Sequence, residues 1–247
     1  MLDQNITDKI ARQAGTLTHK NVIEIGPGPG GLTRSLLRQG AQKLIAIEFD
    51  PRAVQALSGL QEAASGRLEI VQADALETDL TALVPAPRVI VANLPYNIAT
   101  PLLVRWLEDL WQDHTAYDGM ILMFQKEVAQ RMTAQVNTKA YGRLSILCQW
   151  LCDVRKLFDL PPGAFTPPPK VISRVMGFVP QKLPLDKPAF ATMERVTAEA
   201  FGQRRKMIRS SLKPHMAVIE ALGIDSQKRA EDLTVAEFVA LAQKVSF

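Results

Sequence analysis

The chain has 247 residues, a formal net charge of +4 and 47% hydrophobic residues, enough for one large α/β domain with a small appendage and too apolar for a disordered chain. No run reaches the apolar length of a membrane span, and Met1-Leu2-Asp3-Gln4 has neither the basic nor the apolar region of a signal peptide, so a cytoplasmic location is the expectation. The small positive charge favours a polyanionic partner only mildly, which leaves its local distribution to decide.

In chain order, the first clear element is a buried strand at 21–25, followed by Gly26-Pro27-Gly28-Pro29-Gly30-Gly31 and a helical pattern over 31–39 carried by Leu32, Leu36 and Leu37. A strand, a glycine turn and a helix bring free backbone N–H groups close to a ligand. The hexapeptide also satisfies G-x-G-x-x-G, so a dinucleotide site is a rival reading. Glu48, ending the next strand at 44–48, suits a ribose diol and fits adenosylmethionine and NAD equally. After a helix over 51–63 and a strand at 68–71 comes Asp74, where a carboxylate accepts from the amino group of a bound adenine or, more simply, caps a helix.

The strand at 88–92 runs into Asn93-Leu94-Pro95-Tyr96. An exocyclic amine on a planar base is a poor nucleophile because its lone pair is delocalised into the ring. The Asn93 side-chain oxygen and the Leu94 carbonyl supply two acceptors that draw it out of the ring plane, Pro95 holds the backbone, and Tyr96 offers a stacking face. The plain alternative is a strand end meeting a helix, with Asn as cap and Pro as turn former. Helices over 99–111 and 125–136 and a strand at 119–124 continue a rhythm that predicts a parallel sheet covered on both faces, with each motif just beyond a strand's carboxyl end.

Cys148 and Cys152 lie one helical turn apart in an apolar stretch, away in sequence from His19, His114 and His215. They read as buried free thiols, and no metal site is expected. Phe165-Thr166-Pro167-Pro168-Pro169 holds an aromatic ring on a stiff backbone, suited either to stacking a flipped base or to plugging the core. Strands at 154–160 and 171–179, a linker from Pro180 to Pro188 and a helical remainder complete the chain. Arg204, Arg205, Lys206, Arg209 and Lys213 fall between Phe201 and Lys213 without an acidic residue, which favours phosphate contact over a solvated face of mixed sign.

The order Glu24-x-Gly26-x-Gly28, Glu48, Asp74-Ala75, Asn93-Leu94-Pro95-Tyr96 and Phe165 through Ser173 resembles the ribosomal RNA adenine dimethyltransferases along nearly the whole chain. Phe201-Gly202-Gln203-Arg204-Arg205-Lys206, with Ile208-Arg209-Ser210-Ser211-Leu212, is similar to the bacterial small-subunit (16S) branch, which dimethylates two adjacent adenosines near the RNA 3′ end. The resemblance implies a Rossmann-like sheet of seven strands, the last antiparallel, with a catalytic domain over 1–180 and a helical RNA-seating domain over 181–247. It also implies that S-adenosylmethionine is held by Glu24, Gly26, Gly28, Glu48, Asp74, Ala75 and Asn93. Gly26 would lie at the methionine end, Glu48 at the ribose, and Asp74 and Ala75 at the adenine. Tyr96 and Phe165 would sandwich the target base. Relatives carry a Gln-Asn-Phe-Leu-type segment that covers cofactor and target, and Met1 stands in or after its final position, so Met1 joins the expected cofactor residues.

The expected partner is ribosomal RNA in an immature small subunit, engaged by a monomer. Three rivals stay open at this level: a large-subunit rRNA methylase, an NAD-dependent oxidoreductase, and a non-catalytic RNA-binding or transcription accessory protein with the same fold.

Overall fold

A computed structural model of the chain describes residues 2–203 and 205–245. Two compact units result: Met1–Ala129 with Arg155–Pro180, and Gln130–Val154 with Gln181–Phe247. The sequence division at 180/181 coincides with one passage between them, while residues 130–154 also belong to the second unit.

The first unit begins with α1 (Gln4–Gln13), capped by the Asp3 carboxylate, which accepts from the Asn5 N–H. The sequence pattern had not revealed this helix. It is short, and its buried Thr7, Ile10 and Ala11 face α2 (Gly31–Arg38). Between them lie β1 (Asn21–Ile25) and the glycine turn. Then follow β2 (Lys43–Glu48), α3 (Pro51–Ala63), β3 (Leu68–Gln72), the single turn α4 (Leu80–Leu83), β4 (Arg88–Ala92), α5 (Tyr96–Gln112), β5 (Gly119–Gln125) and α6 (Lys126–Met132). Helix α3 starts where its sequence says it should: Pro51 presets φ at the first helical position and the Asp50 carboxylate accepts from the Arg52 N–H.

After α7 (Arg143–Leu151), the strands β6 (Cys152–Leu160) and β7 (Ser173–Pro180) complete the sheet. The strand order is β3-β2-β1-β4-β5-β7-β6. Strands β1 to β5 pair in parallel, and β7 runs antiparallel to β5 with Gln125 opposite Ser173 and Met120 opposite Phe178. The expected seven strands and reversed last strand are therefore present. Strand order reverses between β1 and β4, whose carboxyl ends are level because Ile25 faces Ala92. Their loops depart in opposite directions and open a crevice there.

The second unit contains α7, α8 (Phe190–Gly202), α9 (Ile208–Ser211), α10 (Met216–Ala221) and α11 (Val235–Lys244). Its core rests on ring stacks, Trp150 on Phe190 at 6.2 Å and Phe201 on Phe238 at 5.9 Å. A capping box starts α11: the Thr234 hydroxyl accepts from the Glu237 N–H, and the Glu237 carboxylate accepts from the Thr234 N–H.

Gly30 decides how the glycine turn meets α3. Its φ is +80°, and a Cβ there would lie 2.6 Å from the Leu57 side chain, which is fully buried. Gly30→Ala is therefore expected to lower unfolding free energy by about 1–3 kcal/mol, from left-handed strain and overpacking together. Urea melts of the two proteins measure this directly, and equal midpoints would mean that α2 and α3 have slack at this contact.

Candidate active site

Gly26, Glu48, Asp74 and Ala75 are far apart in sequence, yet all four line one cleft of ≈ 300 Å³ at the carboxyl edge of the sheet, together with Phe49 and Pro95. The Gly26 N–H donates to the Ile47 carbonyl at 2.9 Å, tying the turn to β2. Gly26 and Gly28 have φ of +66° and +52°, the left-handed region that favours glycine. The Gly28 N–H donates to Glu48 Oε2 at 3.1 Å and the Asp50 N–H to Oε1 at 3.0 Å. The Glu48 carboxylate is thus held in place by two backbone amides, and its remaining lone pairs can receive the hydroxyls of a diol.

At α4 the cap is Asp79, not Asp74. Asp74 Oδ1 accepts from the Leu76 N–H at 2.8 Å, so Asp74 braces its own turn. Among the described residues no hydrogen bond ends on Oδ2, which remains for an amino group on a ligand. Phe49, 74% exposed and on the cleft wall, was not singled out from the sequence. An aromatic residue between Glu48 and Asp50 at a strand end was the available signal. Two carboxylates, an apolar wall and a close backbone approach fit adenosylmethionine in donor and acceptor chemistry.

The target side is built from the next loop. A Cβ on Gly26 would lie 3.9 Å from Pro95 Cδ, so the two loops touch across the crevice. The Leu94 side chain is buried and anchors the loop, and the Pro95 carbonyl accepts from the Ile98 and Ala99 N–H groups as α5 begins. Pro95, with no side-chain cap, occupies the N-cap position, so Asn93 is not the helix cap. Neither the Asn93 side chain nor the Leu94 carbonyl has a hydrogen-bond partner among the described residues. Pro95, Asn97 and Ile98 reach the cleft wall, whereas Asn93, Leu94 and Tyr96 do not. Phe165 is half-buried against the hydrophobic core, and its backbone bridges Leu2 in antiparallel fashion. Met1 lies outside the described residues.

In the second unit, Arg205, Lys206 and Arg209 are exposed and make no ion pair among the described residues. The buried Ile208 anchors this segment, and Arg204 lies outside the described residues. Cys148 and Cys152 are free and buried, and burial pushes the Cys152 thiol up to about 12. No group of three or more His, Cys, Asp or Glu suited to a metal ion occurs among the described residues.

Glu24 does not line the cleft. It is 1% exposed within β1, and its Oε2 and the neighbouring Thr33 hydroxyl have no hydrogen-bond partner among the described residues. Burial raises its carboxyl to about 8; the nearby Thr33 opposes the shift without reaching hydrogen-bond geometry, and the Glu48 charge adds to it. The folded state therefore keeps a proton that the unfolded chain releases above the ordinary carboxylate range, and stability falls as pH rises through that window. Glu24→Gln, a neutral substitute, is expected to remove most of the loss of unfolding free energy between about pH 5 and about pH 8. Denaturant melts at both pH values test this, and parallel slopes for the two proteins would place the proton elsewhere.

Comparison with known proteins agrees with this geometry. The profile of the family described as "Ribosomal RNA adenine dimethylase" matches residues 1–246. The chain is 51% identical to "Ribosomal RNA small subunit methyltransferase A" of Rhodospirillum rubrum, over 99% of this chain and 85% of that protein. It is 49% identical to the protein of the same name from Rhizobium etli, over 99% and 90% of the two chains. Among solved structures, a dimethyladenosine transferase from Plasmodium falciparum superposes with a TM-score of 0.83 at 28% identity, over 98% of this chain and 95% of that one. The 23S rRNA methyltransferase ErmE shares the fold, with a TM-score of 0.72 at 24% identity over 98% of each chain. With the family profile spanning nearly every residue and half of all positions identical to such relatives, the chain belongs to the ribosomal RNA adenine dimethylase family.

Proposed function

We propose that this protein dimethylates the N6 of adenosines in small-subunit ribosomal RNA, with S-adenosylmethionine as methyl donor. One observation supports the reading above the others. At the crevice between β1 and β4, a cleft with a braced diol-accepting carboxylate adjoins a loop whose Asn93 and Leu94 acceptors have no partner within the described protein. The finer reading is that two adjacent adenosines near the RNA 3′ end are modified within an immature subunit, by a cytoplasmic monomer that uses no metal. The second reading of the sequence, an NAD-dependent oxidoreductase, has no use for the Asn93 loop.

Glu48 would hold the ribose of the cofactor, Asp74 and Ala75 its adenine, and Gly26 would admit its methionine end against bare backbone. When bound, S-adenosylmethionine supplies an electrophilic methyl group and departs as a neutral thioether. Asn93 Oδ1 and the Leu94 carbonyl accept from the two N6 hydrogens, which turns the nitrogen lone pair out of the base plane towards the methyl group. Tyr96 and Phe165 stack the base. The amine proton becomes acidic only as the nitrogen–carbon bond forms and then passes to solvent, so no dedicated base is needed beforehand. Arg204, Arg205, Lys206 and Arg209 seat the RNA through its phosphates, and a second round on the monomethylated amine, whose one remaining hydrogen is held by one of the two acceptors, gives the second methylation.

Labelled methyl transfer to immature small ribosomal subunits, followed by nucleoside analysis, should yield N6,N6-dimethyladenosine; RNA binding with no transferred methyl would favour a non-catalytic accessory role. Glu48→Ala should weaken adenosylmethionine binding by about 1.5–3 kcal/mol, the range for hydrogen bonds to a charged group, and calorimetry showing unaltered affinity in a folded variant would remove Glu48 from the site. Asn93→Ala should slow transfer by about 10- to 150-fold, the rate equivalent of one such bond to a nitrogen gaining positive charge. RNA affinity should change little, and an equal loss of binding and rate would make Asn93 a structural residue.

A further inference from the structure

The geometry points to Ser173 as a positioning residue that fixes the Tyr96 ring and, through it, the width of the slot for the target base. This inference rests on the function proposed above. Tyr96 is the first residue of α5, directly after Pro95, so its backbone is set while its long side chain has rotational freedom. The Tyr96 hydroxyl and Ser173 Oγ share a hydrogen bond of 2.6 Å, in which either can donate. The phenol oxygen lies on the long axis of the ring, so this contact fixes where the tip of the ring points.

The anchor itself is rigid. Ser173 is fully buried and begins β7 opposite Gln125. On one side of it, the Ile172 carbonyl accepts from the Lys126 N–H at 2.9 Å. On the other, Arg174 donates to both oxygens of Asp159, Nε to Oδ1 at 2.6 Å and Nη2 to Oδ2 at 3.0 Å. Arg174 holds the Asp159 carboxyl well below the usual range, with Lys156 assisting, so the pair stays charged at neutral pH. The start of β7 is pinned on both sides.

The direction of β7 gives the contact its meaning. Strand β5 lies beside β4 and ends at the edge of the sheet where the Asn93 loop begins. Because β7 is antiparallel to β5, its first residue arrives at that same edge, whereas a parallel strand would bring its last residue there. Ser173 also closes the segment that starts at Phe165 and is stiffened by Pro167, Pro168 and Pro169. The bond therefore joins the two stretches of chain that carry the stacking rings, and it keeps the base at the angle that in-line attack requires. Phosphate contacts and the cofactor cleft do not depend on it.

The test is a double-mutant cycle in the full-length protein with immature small subunits. Ser173→Ala and Tyr96→Phe each remove one hydroxyl and keep the ring and nearly all the volume. Each should lower kcat by about three- to tenfold, the rate equivalent of one neutral hydrogen bond, while the KM values for adenosylmethionine and for the particle stay within about twofold. The double variant should lose no more than either single one, because the same bond is already gone. Losses that multiply in the double variant, an unchanged kcat in Ser173→Ala, or a rise in KM for the particle with kcat intact would each overturn the assignment. Thermal midpoints identify a loss due to unfolding, and Tyr96→Phe, whose change is at a half-buried ring and not in the buried start of β7, then decides the outcome. If the wild-type protein transfers no methyl to adenosine, the proposed function falls and the positioning role falls with it; if it transfers normally and the cycle is additive, the positioning role alone is lost.

Discussion

Everything at the active site depends on the reversal of strand order between β1 and β4. These strands are hydrogen-bonded neighbours with Ile25 level with Ala92, but the chain leaves them towards opposite flanks of the sheet. Such a divergence cannot be packed shut by the two loops themselves, so a crevice remains. One wall is the glycine turn, which needs left-handed backbone at Gly26 and Gly28. The other is the Asn93 loop, whose Asn93 side chain and Leu94 carbonyl have no hydrogen-bond partner among the described residues. In the proposed function, cofactor chemistry and target chemistry therefore meet because of topology, and side chains then supply the selectivity.

The electrostatics follow a consistent rule: charge is tolerated where backbone or guanidinium groups hold it, and suppressed where nothing does. Glu48 is held by two amides, and Asp159 by Arg174. Glu24, buried without a hydrogen-bonding partner for Oε2, is driven towards its neutral form. Glu24 lies behind the glycine turn, and Glu48 and Asp74 are the carboxylates that face the cleft.

Rigidity is concentrated in the region proposed to stack the base. The proline residues after Phe165, the pinned start of β7 and the Tyr96–Ser173 bond restrict the same small region. The basic segment around Arg205 and Lys206 sits in the second unit, exposed and set on the buried Ile208. Orientation of a base to within a fraction of an ångström requires fixed groups, whereas phosphate attraction acts over several ångströms and tolerates mobile side chains.

The sequence by itself determined the parallel core strands, because buried strands between glycine and proline punctuation repeat with an unmistakable period; β1, β4 and α3 begin and end where that period places them. It also determined the chemical candidates, since Glu48, Asp74 and Asn93 each stand at a strand's carboxyl end or just beyond it. Short α1 and α7 escaped notice because their stability comes from packing, and the assignment of 130–154 to the second unit escaped because contacts, not composition, define a unit. Only the tertiary structure decided that Glu24 is a core residue rather than part of the cleft wall, that Phe49 lines the cleft and that Ser173 reaches Tyr96. Burial, exposure and a bond between residues 77 positions apart are properties of the folded surface, and no local pattern of residue types encodes them.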